Sequence, residues 1–83
     1  MEQTFTYIVE FDNGEFTRVI GKSKDYRECL DIIANFLEDK KYVSRYWRHW
    51  VDRSGKKMHI DVGCHFQFFY ISRDDGGDMA FAL

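Results

Sequence analysis

The chain has 83 residues, of which 45% are hydrophobic and 18% aromatic, with a formal net charge of -2. That length makes one domain, and a domain so short buries only about 60–65% of the surface its unfolded chain exposes, which leaves little room for a deep catalytic cleft. No run approaches the ~18 apolar residues of a membrane span, and no basic region followed by an apolar run marks a secretory leader.

The first segment, "TFTYIVEFDNGEFTRVIG", reads as a β-hairpin. Apolar residues alternate through Phe5, Tyr7, Val9 and Phe11, the period-2 pattern of a half-buried strand. Asn13-Gly14 supplies a dipeptide suited to a two-residue type I′ turn. Such a turn places Phe11 opposite Phe16, Val9 opposite Arg18 and Tyr7 opposite Ile20. The other face carries Thr4, Thr6, Ile8, Glu10, Thr17 and Val19, the mixture a one-sided sheet shows to solvent.

"SKDYRECLDIIANFLEDK" follows. Tyr26, Cys29, Leu30, Ile33, Phe36 and Leu37 recur at the three-and-four spacing of an amphipathic helix. Ser23 or Asp25 can cap its start, and Asp25 with Glu28 has capping-box spacing. Lys40 and Lys41 suit the negative end of the dipole. Ile32 is the large apolar residue off the stripe.

The third part, "YVSRYWRHWVDRSGKKMHIDVGCHFQFFYISR", is rich in aromatic and β-branched residues. Two turn signals divide it into strands over 43–52, 57–62 and 65–72. Arg53-Ser54-Gly55-Lys56 reads as a hairpin loop, and Gly63-Cys64 as a type II′ turn. A helix through 42–52 is the main rival there, since tryptophan and arginine tolerate either state. The chain then runs into "RDDGGDMAFAL", where glycines among aspartates read as a hinge and the last five residues, all apolar, either dock back on the body or form a frayed end. The expected organisation is an α+β domain over residues 1–72, ββαβββ, with an antiparallel sheet and one helix on a face, followed by an acidic, glycine-rich tail over 73–83.

Charge is segmented along the chain. Residues 1–40 carry nine acids and five bases, net -4; residues 41–72 carry six bases and two acids, net +4; residues 73–83 are net -2. The basic segment holds the aromatic run "YVSRYWRHW". Read as a strand, it puts Val43, Arg45, Trp47, His49 and Val51 on one face and Ser44, Tyr46, Arg48 and Trp50 on the other. Each face then has a tryptophan and an arginine. If one indole serves the core, the other is left facing solvent beside an arginine, and exposed Trp, Tyr and Arg are the types enriched in binding hot spots. Arg45, Tyr46, Arg48 and Trp50 are therefore the candidate contact residues, with Trp47 as the alternative anchor.

Catalytic and metal chemistry find less support. His49, His59, Asp61, Cys64 and His65 lack C-x-x-C or H-x-x-x-H spacing, and a Gly63-Cys64 turn splits them between faces, short of the ligand set zinc requires. Cys64 and His65 are adjacent, and adjacent strand residues point apart. Cys29 lies on the buried helix stripe, where a thiol is inert. No phosphate-binding glycine loop occurs, and "DDGGD" lacks the alternating ligands of a calcium loop. No catalytic residue, cofactor or metal ligand is assigned. Two cysteines without paired spacing fit a cytoplasmic protein with reduced thiols.

In size, mild acidity and missing chemistry the chain resembles small phage and mobile-element proteins that inhibit a larger host enzyme, anti-CRISPR and other anti-defence inhibitors among them. The resemblance implies a non-enzymatic protein that occupies a macromolecular partner, itself a protein. The alternatives are a single-stranded nucleic-acid module using the basic aromatic segment 41–57, a small zinc-stabilised domain, and a homodimer that buries its own aromatics. No membrane partner is expected.

Overall fold

A computed structural model describes residues 3–44, 46–64 and 66–79. The elements are β1 (Tyr7–Asp12), β2 (Thr17–Ser23), α1 (Tyr26–Asp39), β3 (Arg48–Val51), β4 (Lys57–Asp61) and β5 (Phe68–Arg73). The strands form one antiparallel sheet in the order β2-β1-β5-β4-β3. This is the α+β class expected from the sequence, with α1 across one face.

Alternation decides which face the helix covers. Tyr7, Val9 and Phe11 of β1, Met58 and Ile60 of β4, and Phe69 and Ile71 of β5 point inward and are buried. Cys29, Ile33 and Leu37 of α1 close over them, with Tyr26, Leu30 and Phe36 packed at the margin. The rings interlock: Phe11, Phe36 and Phe69 have centroids 4.7–5.8 Å apart, the tilted and edge-on spacings that aromatic quadrupoles prefer. Ile32 also finds its place. Its side chain lies against Gly21 of β2, where an added Cβ would come within 2.9 Å of it. A glycine in the strand lets the helix approach at this point.

The first hairpin forms, but not with the expected turn. Phe11 pairs with Arg18, Val9 with Gly21 and Tyr7 with Ser23, with a bulge between Val9 and Glu10. Gly14 has positive φ, whereas Asn13 does not. Instead of adopting the left-handed conformation, Asn13 accepts hydrogen bonds on Oδ1 from the N–H groups of Glu15 and Phe16, and Asp12 accepts from Gly14 N–H. These local bonds hold a longer loop and leave Phe16 exposed.

Both helix ends are capped. The Asp25 side chain accepts from Arg27 N–H, while Ser23 donates its hydroxyl to Glu28 in place of a reciprocal capping box. At the other end Tyr42 N–H bonds to Leu37 O and Lys41 N–H to Glu38 O, the paired pattern of a Schellman cap. Its left-handed position is held by Lys41 at φ 57, where a side chain is strained. Lys41→Gly is expected to stabilise the fold by about 1 kcal/mol, after the entropic cost of glycine is deducted. A urea or thermal melt would read this as a rise in Tm of about 4–8 °C.

Strand β3 is shorter than expected, beginning at Arg48 rather than at residue 43. The Schellman exit turns the chain through Tyr42–Ser44 across the end of the helix before it can join β4. The 53–56 loop forms as expected, with Gly55 N–H bonded to Asp52 O and Gly55 at φ 74. The Gly63-Cys64 turn does not: Asp61 pairs with Phe68, so the connection spans 62–67.

Beyond β5 the chain folds back. Thr6 and Asp74 exchange two hydrogen bonds. Arg73 lies 3.6 Å over the centre of the Phe5 ring and donates from Nε and Nη2 to the Asp75 carboxylate. Gly77 lies so close to the guanidinium that a Cβ there would collide with it. Met79 N–H bonds to Gly55 O, and the Met79 side chain is fully buried in the core. Residues 80–83 lie outside the described residues.

Candidate functional site

The site is on the sheet face opposite the helix, and strand pairing builds it. The 53–56 loop sets Trp50 opposite His59 and Arg48 opposite Asp61. Strand β5 continues each row, with Tyr70 beside His59 and Phe68 beside Asp61. Strand β1 then adds Glu10 next to Tyr70 and Asp12 next to Phe68. One row across the outer face therefore reads Trp50, His59, Tyr70, Glu10.

These rings are packed by their own neighbours. The His59 imidazole stacks on the Trp50 indole at 5.4 Å with an interplanar angle of 15°, and meets Tyr70 edge-on at 4.8 Å. Lys57 Nζ sits 4.9 Å over the Tyr70 ring, and the Arg48 guanidinium 5.1 Å over Tyr46. Such cation–π contacts are worth about 0.5–1 kcal/mol at exposed sites, enough to hold rotamers in place. The charges are matched as well: Arg48 Nη2 lies 2.7 Å from Asp61 Oδ2, and Lys57 is 3.9 Å from Glu10.

Titration follows from these contacts. The Tyr70 hydroxyl donates to Asp12 Oδ2 at 2.7 Å. Partial burial and this bond push the Tyr70 phenol up to about 12, and the same bond holds Asp12 below the usual carboxylate range. Asp61 is buried, accepting from Arg48 and, on Oδ1, from Gly63 N–H. Burial between two rings pushes the His59 imidazole below its ordinary value of 6.5, against a smaller upward pull from Asp52. The folded protein thus holds this proton less tightly than the unfolded chain. Stability tied to His59 is complete above pH 6.5 and is lost as pH falls below it. Urea midpoints are expected to drop between pH 7 and 5, and His59→Gln to flatten that slope; an unchanged slope would contradict the packing of this ring.

Of the expected contact residues, Tyr46, Arg48 and Trp50 come together on this outer face, around a cavity of about 410 Å³ that is also lined by Asp61, Gly63, Cys64 and Phe68. Arg45 lies outside the described residues. Trp47 is elsewhere, on the helix side, where it lines a groove with Ala34, Leu37, Tyr42 and Val43 and donates from Nε1 to Ser44 Oγ at 2.8 Å. Neither indole is a core residue. Trp47 is 40% exposed and Trp50 41%, because Phe11, Phe36 and Phe69 already fill the space beneath the helix.

His59, Tyr70, Asp61 and Phe68 belong to this surface and were not among the expected contacts. The signal was present: a loop at 53–56 forces Trp50 opposite His59. Among the described residues no three His, Cys, Asp or Glu side chains gather as a metal site; His65, one of the residues weighed for zinc, lies outside them. Cys29 is buried, and desolvation with nearby Asp25 and Glu28 pushes its thiol up to about 11, away from the thiolate that nucleophilic chemistry requires. No helix among the described residues is long and apolar enough to cross a membrane. Comparison with family models, curated proteins and solved structures gives no match to this chain.

Proposed function

We propose that this is a non-enzymatic binding protein that occupies a protein partner through the outer sheet face around Trp50. One observation carries the reading: no element of the described chain covers the row Trp50–His59–Tyr70, yet its rings are already fixed by their own neighbours. Aromatic anchors held in place before contact lose little side-chain entropy on binding, and Trp, Tyr and Arg are the side chains that most often dominate such interfaces.

The same packing favours protein over single-stranded nucleic acid. Phosphates need unpaired cations, whereas Arg48 and Lys57 face Asp61 and Glu10, with Asp12 alongside. The finer reading, inhibition of a larger host enzyme in the manner of phage anti-defence proteins, follows from size, acidity and missing chemistry.

The test is capture from a lysate of the source organism by immobilised wild-type protein and by Trp50→Ala, with oligo-dT binding measured in parallel. A polypeptide kept by the wild type and lost by a folded Trp50→Ala, with a loss of at least tenfold in affinity, is the expected result. Equal retention by both proteins would remove this face from the mechanism. Oligo-dT binding that weakens steeply between 50 and 200 mM salt would replace the reading with a nucleic-acid one.

A further inference from the structure

The row Trp50–His59–Tyr70 is held together by a group whose charge changes near neutrality. Histidine is the side chain whose ordinary titration falls between about pH 5 and 8. His59 is the middle ring of the row: the Trp50 indole lies nearly parallel to it at 5.4 Å, and the Tyr70 ring meets it edge-on at 4.8 Å. Its Nε2 lies 3.9 Å from Asp52 Oδ2, too far for a hydrogen bond, which requires about 2.7–3.2 Å. The neutral imidazole is thus placed to stack, with a carboxylate just beyond it that suits the charged form.

The groups around it are fixed in place by their own partners. Just past β3, Asp52 is held below the usual carboxylate range by the Ser54 hydroxyl, which donates to Oδ1. On β5, the Tyr70 phenol donates to Asp12 of β1 and titrates only at about 12, while Asp12 is itself held low. On β4, Lys57 Nζ sits over the Tyr70 ring and faces Glu10 of β1 at 3.9 Å, and Asp61 is bonded to Arg48 of β3. His49, next to Trp50 in sequence, lies on the helix side with Tyr26 and Leu30. Burial is the main burden on an imidazolium at position 59; Asp52 attracts it and Lys57 repels it. Remaining in the stack costs the cation its hydration. A shift of about 1 Å toward Asp52 instead gives it a charge-assisted hydrogen bond, which is stronger than a cation–π contact at an exposed indole. The ring therefore has two seats, one for each protonation state.

We propose that His59 is a pH-operated latch: neutral, it holds the Trp50 indole in the stack; protonated, it turns toward Asp52 and lets the indole go. Because burial disfavours the charged ring, the turn takes place below pH 6.5. For a partner bound through this face, on the reading above, the consequence is weaker binding below that pH, since a released indole must be ordered again on contact.

The experiment is acrylamide quenching of fluorescence in Trp47→Phe, where Trp50 is the sole tryptophan, between about pH 7.5 and 5, with far-UV circular dichroism in parallel. His59 lies against one of the two indole faces, so the quenching constant is expected to rise about twofold as pH falls. The rise should be reversible, with a midpoint below 6.5 and no change in circular dichroism. His59→Gln in the same background should show no rise. Asp52→Asn, which keeps an acceptor for Ser54, should move the midpoint further down. A level constant, a rise that persists in His59→Gln, or a rise that comes only with loss of circular dichroism overturns the latch. A midpoint indifferent to Asp52→Asn overturns the second seat and with it the two-state account. All of these outcomes leave the protein-binding reading standing, which Trp50→Ala tests separately at neutral pH.

Discussion

Phe69→Ala is expected to cost about 3–5 kcal/mol and to lower the urea midpoint markedly. Phe69 is fully buried at the middle of the sheet. Its ring lies 5.3 Å from Phe11 and 5.8 Å from Phe36, so it joins the central strand pair to the helix. A domain of this size has a total stability of about 4–12 kcal/mol, and the loss takes a large part of it. Urea titration followed by circular dichroism would measure the change. Phe69→Leu, which fills more of the cavity, should cost well under half as much. A Phe69→Ala protein with an unaltered urea midpoint would mean that the three-ring cluster is not the centre of the core.

Met79→Ala is expected to cost about 2–3 kcal/mol, the low end of the range for a buried methionine because a residue near the chain end can relax by fraying. Met79 is as inaccessible as any strand residue of the core, and its amide is bonded to Gly55 O. Two other anchors lie on the way to it: the Thr6–Asp74 pair, and Arg73 enclosed by Phe5, Asp75 and Gly77. Lys56→Ala is the control, since the Lys56 side chain is exposed; its stability should change by less than about 0.5 kcal/mol. Equal midpoints for Met79→Ala and Lys56→Ala would show that the returning segment is not part of the cooperative unit.

The fold was legible where local pattern and tertiary demand agree. Alternation through Tyr7, Val9 and Phe11 and the helical stripe of Cys29, Ile33 and Leu37 marked the two halves of the core. It was not legible where a side chain replaced a backbone solution. Asn13 is able to take positive φ, yet it used its carboxamide oxygen to satisfy Glu15 and Phe16 and so lengthened the turn. Nor does sequence pattern reveal which apolar residue returns from a distance. Met79 follows an acidic glycine-rich stretch, and the apolar end it opens reads equally as docked or frayed; its amide bonds to Gly55 O, in a loop far away in the chain.

The site shows the same division. The period of two was enough to put Tyr46, Arg48 and Trp50 on one face and Trp47 on the other. What alternation does not supply is the identity of the neighbouring rows. His59 and Tyr70 enter the site because β4 and β5 continue the sheet beyond β3 in fixed register. That register depends on a loop over 62–67 longer than the Gly63-Cys64 turn suggested. The loop lengthened the connection by an even number of residues, so His59 and Asp61 stayed on the face expected for them while their partners moved along by two.

The first strand lies inside the sheet, between β2 and the last strand, β5. On a ribosome adding about 5–20 residues per second, β1 waits several seconds for its second neighbour. During that interval the β1–β2 hairpin and α1 lack Met58, Ile60, Phe69 and Ile71, the inner residues of β4 and β5. Closing this core is therefore a long-range event, of the kind that folds more slowly than local pairing.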